Sequence, residues 1–248
     1  MADYNTYRTT QSVGARQAVV DEGLRAYMNK VYGLMAVGMG VTAVAAYGVS
    51  TAAVDASGQL TQLGYAIYAS PLKWVIMFAP LLMVFAFGAA LNRLSVSAAT
   101  VMFYAFAALM GLSISSIFLV YTGTSIVQTF LVTAIAFAGL SLWGYTTKKN
   151  LSGWGTFLIM GVIGLIVASI VNIFLQSSAM QFAISVLGVL IFAGLTAYDT
   201  QRIKNTYLEL AGSDRDFIGK TAIMGALSLY LNFLNLFMFL LQFMGNRE

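Results

Sequence analysis

"GALSLYLNFLNLFMFLLQ", residues 225–242, decides the fold because eighteen consecutive residues carry no charge. A helix of about 20 apolar residues is long enough to cross the hydrocarbon core of a bilayer. The small and polar residues of this stretch recur three or four positions apart, with one gap at position 239, so they share one stripe of a helix. These residues are Gly225, Ser228, Asn232, Asn235 and Gln242. An amide that faces lipid without a partner is costly, so the stripe is predicted to point into a helix bundle.

Two interpretations of this stripe stay open. It forms either an ordinary seam of hydrogen bonds between helices or the lining of a polar path through the bundle. On the second interpretation, Ser228, Asn235 and Gln242 are pore-lining candidates. Asn172 in "SIVNIF" (169–174) is a further candidate, although a hydrogen bond between helices is the simpler explanation.

The composition of the chain indicates an integral membrane protein. Of 248 residues, 59% are hydrophobic and only 9% are charged, whereas a soluble domain carries about a quarter of its residues as charged side chains. The sequence has neither Cys nor His, which excludes disulfides, thiolate chemistry and histidine catalysis or ligation. The net charge of +4 is distributed as expected for membrane orientation, so no nucleic-acid partner is predicted.

Seven apolar stretches are long enough, or nearly so, to be transmembrane helices. They cover residues 28–53, 72–92, 97–120, 126–144, 155–175, 179–200 and 221–244, with long connections only at 54–71 and 201–220. A β-barrel is excluded because the stretches are too long for strands and do not alternate in polarity. We therefore predict an all-α bundle of seven transmembrane helices (residues 28–248) behind a polar N-terminal tail (residues 1–27).

The distribution of Lys and Arg predicts the orientation of the bundle. Eleven of these residues fall on the side of the N-terminal tail, and two, Lys73 and Arg247, fall on the other side. Cytoplasmic loops carry the excess of basic residues, so the N-terminus is predicted to be cytoplasmic. Seven full spans place the C-terminus outside, whereas a re-entrant last helix keeps it inside, and the sequence leaves both open.

A single carboxylate lies near the end of the sixth stretch, in "GLTAYDTQRIK" (194–204). An acid inside a bilayer indicates function, whereas one at the boundary can simply cap a helix or pair with a neighbour such as Arg202. Arg93, in "LNRLS" (91–95), ends the second stretch on the same side as Asp199. It either extends to the membrane surface or pairs with Asp199 to close one end of a path.

Three membrane-enzyme chemistries lack their required residues. The "GLSISS" stretch (111–116) offers serines, but no His is present to act as a base and every Lys lies at or outside the end of a span. The HExxH motif of zinc metalloproteases is absent. An aspartyl protease needs a second carboxylate beside Asp199, and no other acid lies within a predicted span. We therefore expect that the protein is not an enzyme and holds no cofactor.

Four segments together resemble the bacterial branch of the Bax inhibitor family, also called the transmembrane Bax inhibitor motif family. They are "GLSISSIFLVYT" (111–122), "GYTTKKNLSGWG" (144–155), "GLTAYDTQRIK" (194–204) and the opening stretch, and the resemblance covers the chain from about Leu24 onward. It implies seven helices with the last one at the centre, and a pH-sensitive calcium leak channel of the inner membrane. It also implies a sensor of two carboxylates, of which Asp199 is the first, and Arg93 as the latch of the closed form.

The chain departs from this family pattern at the second carboxylate, because the matching motif reads "LYLNF" (229–233) and holds Asn232. Two neighbouring carboxylates share one proton since they cannot both ionise comfortably, and an amide cannot take part. Calcium prefers carboxylate oxygens, so only Asp199 remains as a weak contact for the ion. We therefore expect a shifted or blunted pH response and a lower affinity for calcium.

Two functional hypotheses result from these residues and the resemblance. In the first, the protein is a multi-pass protein of the bacterial inner membrane that leaks a cation, expected to be calcium, past Asp199, Asn232 and Arg93. In the second, it conducts nothing and regulates a membrane-bound quality-control protease or another membrane complex by docking on it. Asn232 favours the second hypothesis because it removes a cation ligand.

Overall fold

The computed structural model describes residues 3–91, 93–210, 212 and 214–247, with side chains described from residue 19 onward. Within these residues the chain forms seven long helices. They are α1 (Asp3–Ala53), α2 (Leu72–Ala90), α3 (Val96–Ile114), α4 (Gly123–Thr146), α5 (Ser152–Leu175), α6 (Ser178–Leu210) and α7 (Arg215–Met244). All seven contribute an apolar stretch long enough to cross a membrane. The predicted all-α bundle of seven spans is confirmed.

The last helix occupies the centre of the bundle. In the apolar window of α7, 61% of the residues are buried, against 33% or less in every other span. It packs against α1, α3, α4 and α6. By contrast, α2 packs mainly on α3 and α5 packs mainly on α6, so these two helices lie at the periphery. A central position explains why α7 can carry polar residues on an otherwise apolar helix, since partners surround it.

The helices α1, α3 and α7 meet through small residues and one buried hydroxyl pair. Gly38 leaves room for the rings of Phe103 and Tyr230, because a Cβ at position 38 would lie 2.9 Å from the Phe103 ring. Thr42 donates a hydrogen bond to the backbone carbonyl of Ala107 at 2.8 Å and shares another with the Tyr230 hydroxyl at 2.6 Å. Close approach thus brings buried polar groups within reach of one another, as helix association in lipid requires.

The prediction of a long connection at residues 201–220 is wrong. Helix α6 continues to Leu210 and α7 begins at Arg215, so most of this segment is helical. The prediction followed hydropathy, which detects where the apolar part of a helix ends. Gln, Arg and Lys are good helix formers, so a helix can continue past that boundary into water.

The seventh helix crosses the whole bundle. It is unbroken from Arg215 to Met244, and Gln242 near its end meets Gln181 at the beginning of α6. The backbone N–H of Thr122 donates to the carbonyl of Asn246, which fixes the end of the chain beside the α3–α4 connection. This geometry contradicts the re-entrant alternative. The predicted cytoplasmic location of the N-terminus stays a prediction.

Helix α1 bears on the predicted division into a tail and a membrane domain. Helix α1 runs from Asp3 to Ala53 without a break, so the division between a tail at 1–27 and a membrane domain from residue 28 does not coincide with a helix end and stays a prediction.

In the α1–α2 connection, the Asp55 carboxylate accepts hydrogen bonds from the Ser57 hydroxyl and from the backbone N–H groups of Ser57 and Gln59. These hydrogen bonds hold the pKa of Asp55 below its ordinary value.

Candidate functional site

Asp199 and Asn232 meet at the interface of α6 and α7. The side-chain amide of Asn232 donates a hydrogen bond to Oδ2 of Asp199 at 2.7 Å, and both residues are buried. Helix periodicity positions them, because the polar stripe of α7 faces α6 and Asp199 lies on the side of α6 that faces α7. The inward direction predicted for the stripe is confirmed, and the lone acid does meet an amide of the central helix.

Arg202 completes the surroundings of the carboxylate. Its guanidinium lies 2.8 Å from Oδ1 of Asp199, one helical turn further along α6. It also donates a hydrogen bond to the Ser228 hydroxyl at 3.3 Å and packs over the Tyr198 ring. The Asp199 side chain is 9% exposed and that of Arg202 is 49% exposed, so the pair spans the boundary between the interior and the surface. Both carboxylate oxygens therefore have a strong donor, and the buried charge is compensated.

The predicted latch between Arg93 and Asp199 is not formed. Arg93 is exposed in the turn between α2 and α3, and in the part of the chain that the structure describes no ion pair joins it to Asp199. The reason lies in the packing, since α2 rests on α3 whereas Asp199 faces α7. Arg202, a partner that the sequence also offered, takes the position that was predicted for Arg93.

A cavity of about 600 Å³ lies between α5, α6 and α7, with the Asp199–Asn232 pair in its wall. The pore-lining candidates Ser228 and Asn235 also line it, and the remaining lining is mainly Ile, Leu and Phe. The Asn235 amide donates to the backbone carbonyl of Leu231 at 2.8 Å, which leaves its side-chain carbonyl available to the cavity. The cavity is therefore mostly apolar, with the charged pair and a few dipoles along α7.

The other two candidates, Asn172 and Gln242, lie outside this cavity in a second polar cluster near the opposite end of α7. Gln181 connects them, accepting a hydrogen bond from the Asn172 amide at 3.2 Å and donating one to Oε1 of Gln242 at 2.9 Å. Ser185 approaches the same Gln242 oxygen at 3.5 Å. The hydrogen bond between helices that Asn172 suggested is thus present, and its partner Gln181 was missed.

Two aromatic rings separate the two polar regions. The rings of Phe192 and Phe239 stack with their centroids 5.7 Å apart, and Phe239 lies directly against Gly188. A Cβ at position 188 would lie 2.5 Å from the Phe239 ring, so the ring depends on this glycine. The gap at position 239 in the polar stripe is therefore occupied by this aromatic pair.

Among the described residues that line the cavity, Asp199 is the one acidic group. Within the described ranges, no group of three or more His, Cys, Asp or Glu side chains is arranged to hold a metal ion. A single carboxylate supports at most a weak and transient contact with a cation. The proposed contact between Asp199 and calcium therefore remains a prediction about a permeating ion.

Comparison with known proteins identifies the family. The sequence model described as "Inhibitor of apoptosis-promoting Bax1" matches residues 24–248. The chain belongs to the Bax inhibitor family. One relative in the family, a protein of Caulobacter vibrioides, is 49% identical over the full length of both chains. The inner membrane protein YbhL of Escherichia coli K12 is 43% identical, over 91% of this chain and 94% of YbhL.

These findings confirm the family recognised in the sequence. A third relative, protein RP147 of Rickettsia prowazekii, is 42% identical over the full length of both chains. Seven apolar helices and the match to YbhL support a multi-pass integral protein of the inner membrane, as predicted.

Sequence reasoning missed two residues that the site depends on. Gln181 joins the second polar cluster, and Tyr230 anchors α7 to Thr42 of α1. Gln181 precedes Ser185 by one turn, so its helical spacing was a usable signal. Tyr230 gave no such signal, because a Tyr on an apolar helix usually lies at the membrane surface rather than in the centre.

Proposed function

We propose that this protein is a cation leak pathway of the Bax inhibitor type, with calcium as the permeant ion. The observation that carries the proposal is the Asp199–Asn232 pair in the wall of a 600 Å³ cavity beside the central helix. A buried carboxylate in a membrane bundle is expensive and marks ion pathways. Calcium enters this proposal as the transported ion and not as a resident cofactor.

The conformation described above corresponds to a closed state of such a pathway. Arg202 and Asn232 engage both oxygens of Asp199, so a cation must displace at least one of them to reach the carboxylate. In the wall of the cavity, the rings of Phe192 and Phe239 form a constriction between the Asp199 site and the cluster around Gln181. Opening then requires movement of Arg202 and of the Phe239 ring.

The pH response of this pathway is altered by Asn232. An amide donates to the ionised carboxylate of Asp199 and cannot share a proton with it. A change of protonation at this site therefore involves Asp199 alone. We propose that the response to pH is shifted or blunted relative to a site with two carboxylates.

Calcium flux into proteoliposomes tests the proposal. Wild-type protein should raise the flux above that of empty liposomes, and Asp199→Asn should abolish the increase while the protein keeps its fold. Asp55→Asn is the matched control, because it makes the same chemical change at an exposed position outside the helices. Flux that equals the empty-liposome value for wild-type protein, or that survives in Asp199→Asn, contradicts the proposal.

One observation favours the second candidate function, a regulator that does not conduct. Each oxygen of the Asp199 carboxylate already has a donor, and the position facing it carries an amide in place of a second acid. On this proposal the pair is a structural clamp between α6 and α7, and the partner is a membrane-bound protease or another membrane complex. Co-purification of such a partner, together with the absence of flux above empty liposomes, separates this function from conduction.

A further inference from the structure

A second groove, of about 660 Å³, lies between α1 and α4 and shares no lining residue with the Asp199 cavity. Both helices flank α7, and Phe233 of α7 lies in the wall of the groove. Most of the lining is apolar, including Met28, Met35 and Phe137. The apolar part of such a groove suits hydrocarbon better than water, because water finds few polar partners there.

The two ends of the groove differ in charge. Because α1 and α4 run in opposite directions, Arg25 and Tyr145 lie at one end, whereas Ala36 and Ala134 lie at the other. Lys204 adds a second cation at the charged end, since its ammonium donates to the Tyr145 carbonyl at 2.8 Å and lies 5.1 Å from the centroid of the Tyr145 ring. The groove is thus basic at one end and apolar along the rest.

The length of the groove matches one leaflet of a bilayer. From Arg25 to Ala36, α1 advances by about 16 Å at 1.5 Å per residue. Half of the roughly 30 Å hydrocarbon core is about 15 Å. A lipid whose headgroup lies at Arg25 therefore extends its acyl chain along the groove to about the middle of the membrane.

Arg25 is available to such a headgroup. It is exposed, and the structure places no described residue in an ion pair with it. Asp21 and Glu22 lie one turn before it on α1 and do not line the groove. Asn29, one turn further along α1, adds an amide donor at the same end. A guanidinium and an amide together suit the oxygens of a phosphate diester.

We propose that the α1–α4 groove binds one anionic phospholipid. Its phosphate contacts Arg25 and Asn29, and one acyl chain lies between the two helices against Phe233. Basic pockets between transmembrane helices bind lipid headgroups on the cytoplasmic side, where the positive-inside rule places Arg25. The bound chain contacts α7 at Phe233, and the proposal does not depend on ion conduction.

Native mass spectrometry of the full chain in detergent tests this proposal. The protein is titrated with phosphatidylglycerol, or with phosphatidylcholine of identical acyl chains, and the apparent Kd of the first bound lipid is measured. We expect wild-type protein to prefer phosphatidylglycerol, and Arg25→Gln to lower that preference about fivefold. Ala138→Trp fills the groove from an exposed position of α4 and should weaken binding of both lipids.

Lys73→Gln is the matched control, since Lys73 is an exposed cation at the predicted opposite side of the membrane. It should leave the preference unchanged, and the melting temperatures of all variants should agree with that of the wild type. If Ala138→Trp does not fold, Ala36→Phe blocks the other wall of the groove. The proposal is overturned if Arg25→Gln keeps the full preference, if Lys73→Gln loses as much, or if a filled groove binds lipid normally.

Discussion

Replacement of Asn232 by Asp tests how the site senses pH. The variant brings a second carboxylate to the position from which the amide now donates to Asp199 at 2.7 Å. Two unit charges about 4 Å apart repel each other by roughly 4 kcal/mol at an effective dielectric constant of about 20. The two acids therefore share one proton over a range of pH, whereas the wild-type site has a single carboxylate and cannot share a proton in this way.

The size of the effect is limited by Arg202. A repulsion of about 4 kcal/mol corresponds to about three pH units, and the guanidinium 2.8 Å from Asp199 offsets part of it. We expect the pH at which calcium flux changes to move upward by about one to three units in Asn232→Asp. The assay is calcium flux in proteoliposomes between about pH 5 and pH 8, with wild type and variant reconstituted at equal density.

The control for this experiment is Asn235→Asp, which adds the same charge one turn further along α7. The amide of Asn235 donates to the carbonyl of Leu231 on the same helix. A smaller displacement is expected there. Identical pH profiles for wild type and Asn232→Asp would refute the reasoning, because the added carboxylate would then not interact with Asp199.

Three further predictions concern other parts of the molecule. Phe239→Ala should increase calcium flux several-fold, because it removes one ring of the constriction between the two polar regions. Thr42→Val should destabilise the protein by about 1–3 kcal/mol in reversible denaturant unfolding, because it leaves the buried Tyr230 hydroxyl without its partner. Hydrogen bonds hold the pKa of Asp55 low, so they stabilise the turn at pH values above the pKa that Asp55 has in the unfolded chain, and this stabilisation is lost as pH falls through the pKa of the folded state. Ser57→Ala should therefore raise the pKa of Asp55 toward its ordinary value in an NMR titration.

Each of these predictions has a result that contradicts it. Phe243→Ala removes an exposed ring one turn beyond Phe239 and should leave the flux unchanged, so an equal increase in both variants argues against a constriction. Wild-type stability in Thr42→Val would mean that the Tyr230 hydroxyl finds another partner. An Asp55 titration that does not respond to Ser57→Ala would exclude the hydroxyl as the cause of the lowered pKa.

The sequence predicted the architecture well because the membrane restricts the possibilities. In lipid, backbone N–H and C=O groups must form hydrogen bonds within the protein, so each long apolar stretch is a helix that hydropathy alone can locate. The polar stripe of α7 is likewise unfavourable when it faces lipid and favourable when it faces other helices, which is why the contact of Asn232 with α6 was predictable. Helix ends beyond the membrane were not predictable in this way, and α6 extends ten residues past the predicted 200.

Partners between distant helices were harder to predict than the direction of a helix face. Asp199 had two candidate cations, Arg202 on the same helix and Arg93 at the end of another. The choice was decided by the packing of α2 on α3, a tertiary contact without a periodic signal in the sequence. The neighbour three residues along the same helix had the advantage that its distance is fixed by the helix itself.

The central position of α7 has a consequence for biogenesis. The ribosome makes α7 after the other six long helices, so we expect those six to enter the membrane before the middle of the bundle is filled. During that interval Asp199 lacks its amide neighbour and Thr42 lacks Tyr230. We therefore expect that arrival of α7 (Arg215–Met244) brings both contacts into place in one step.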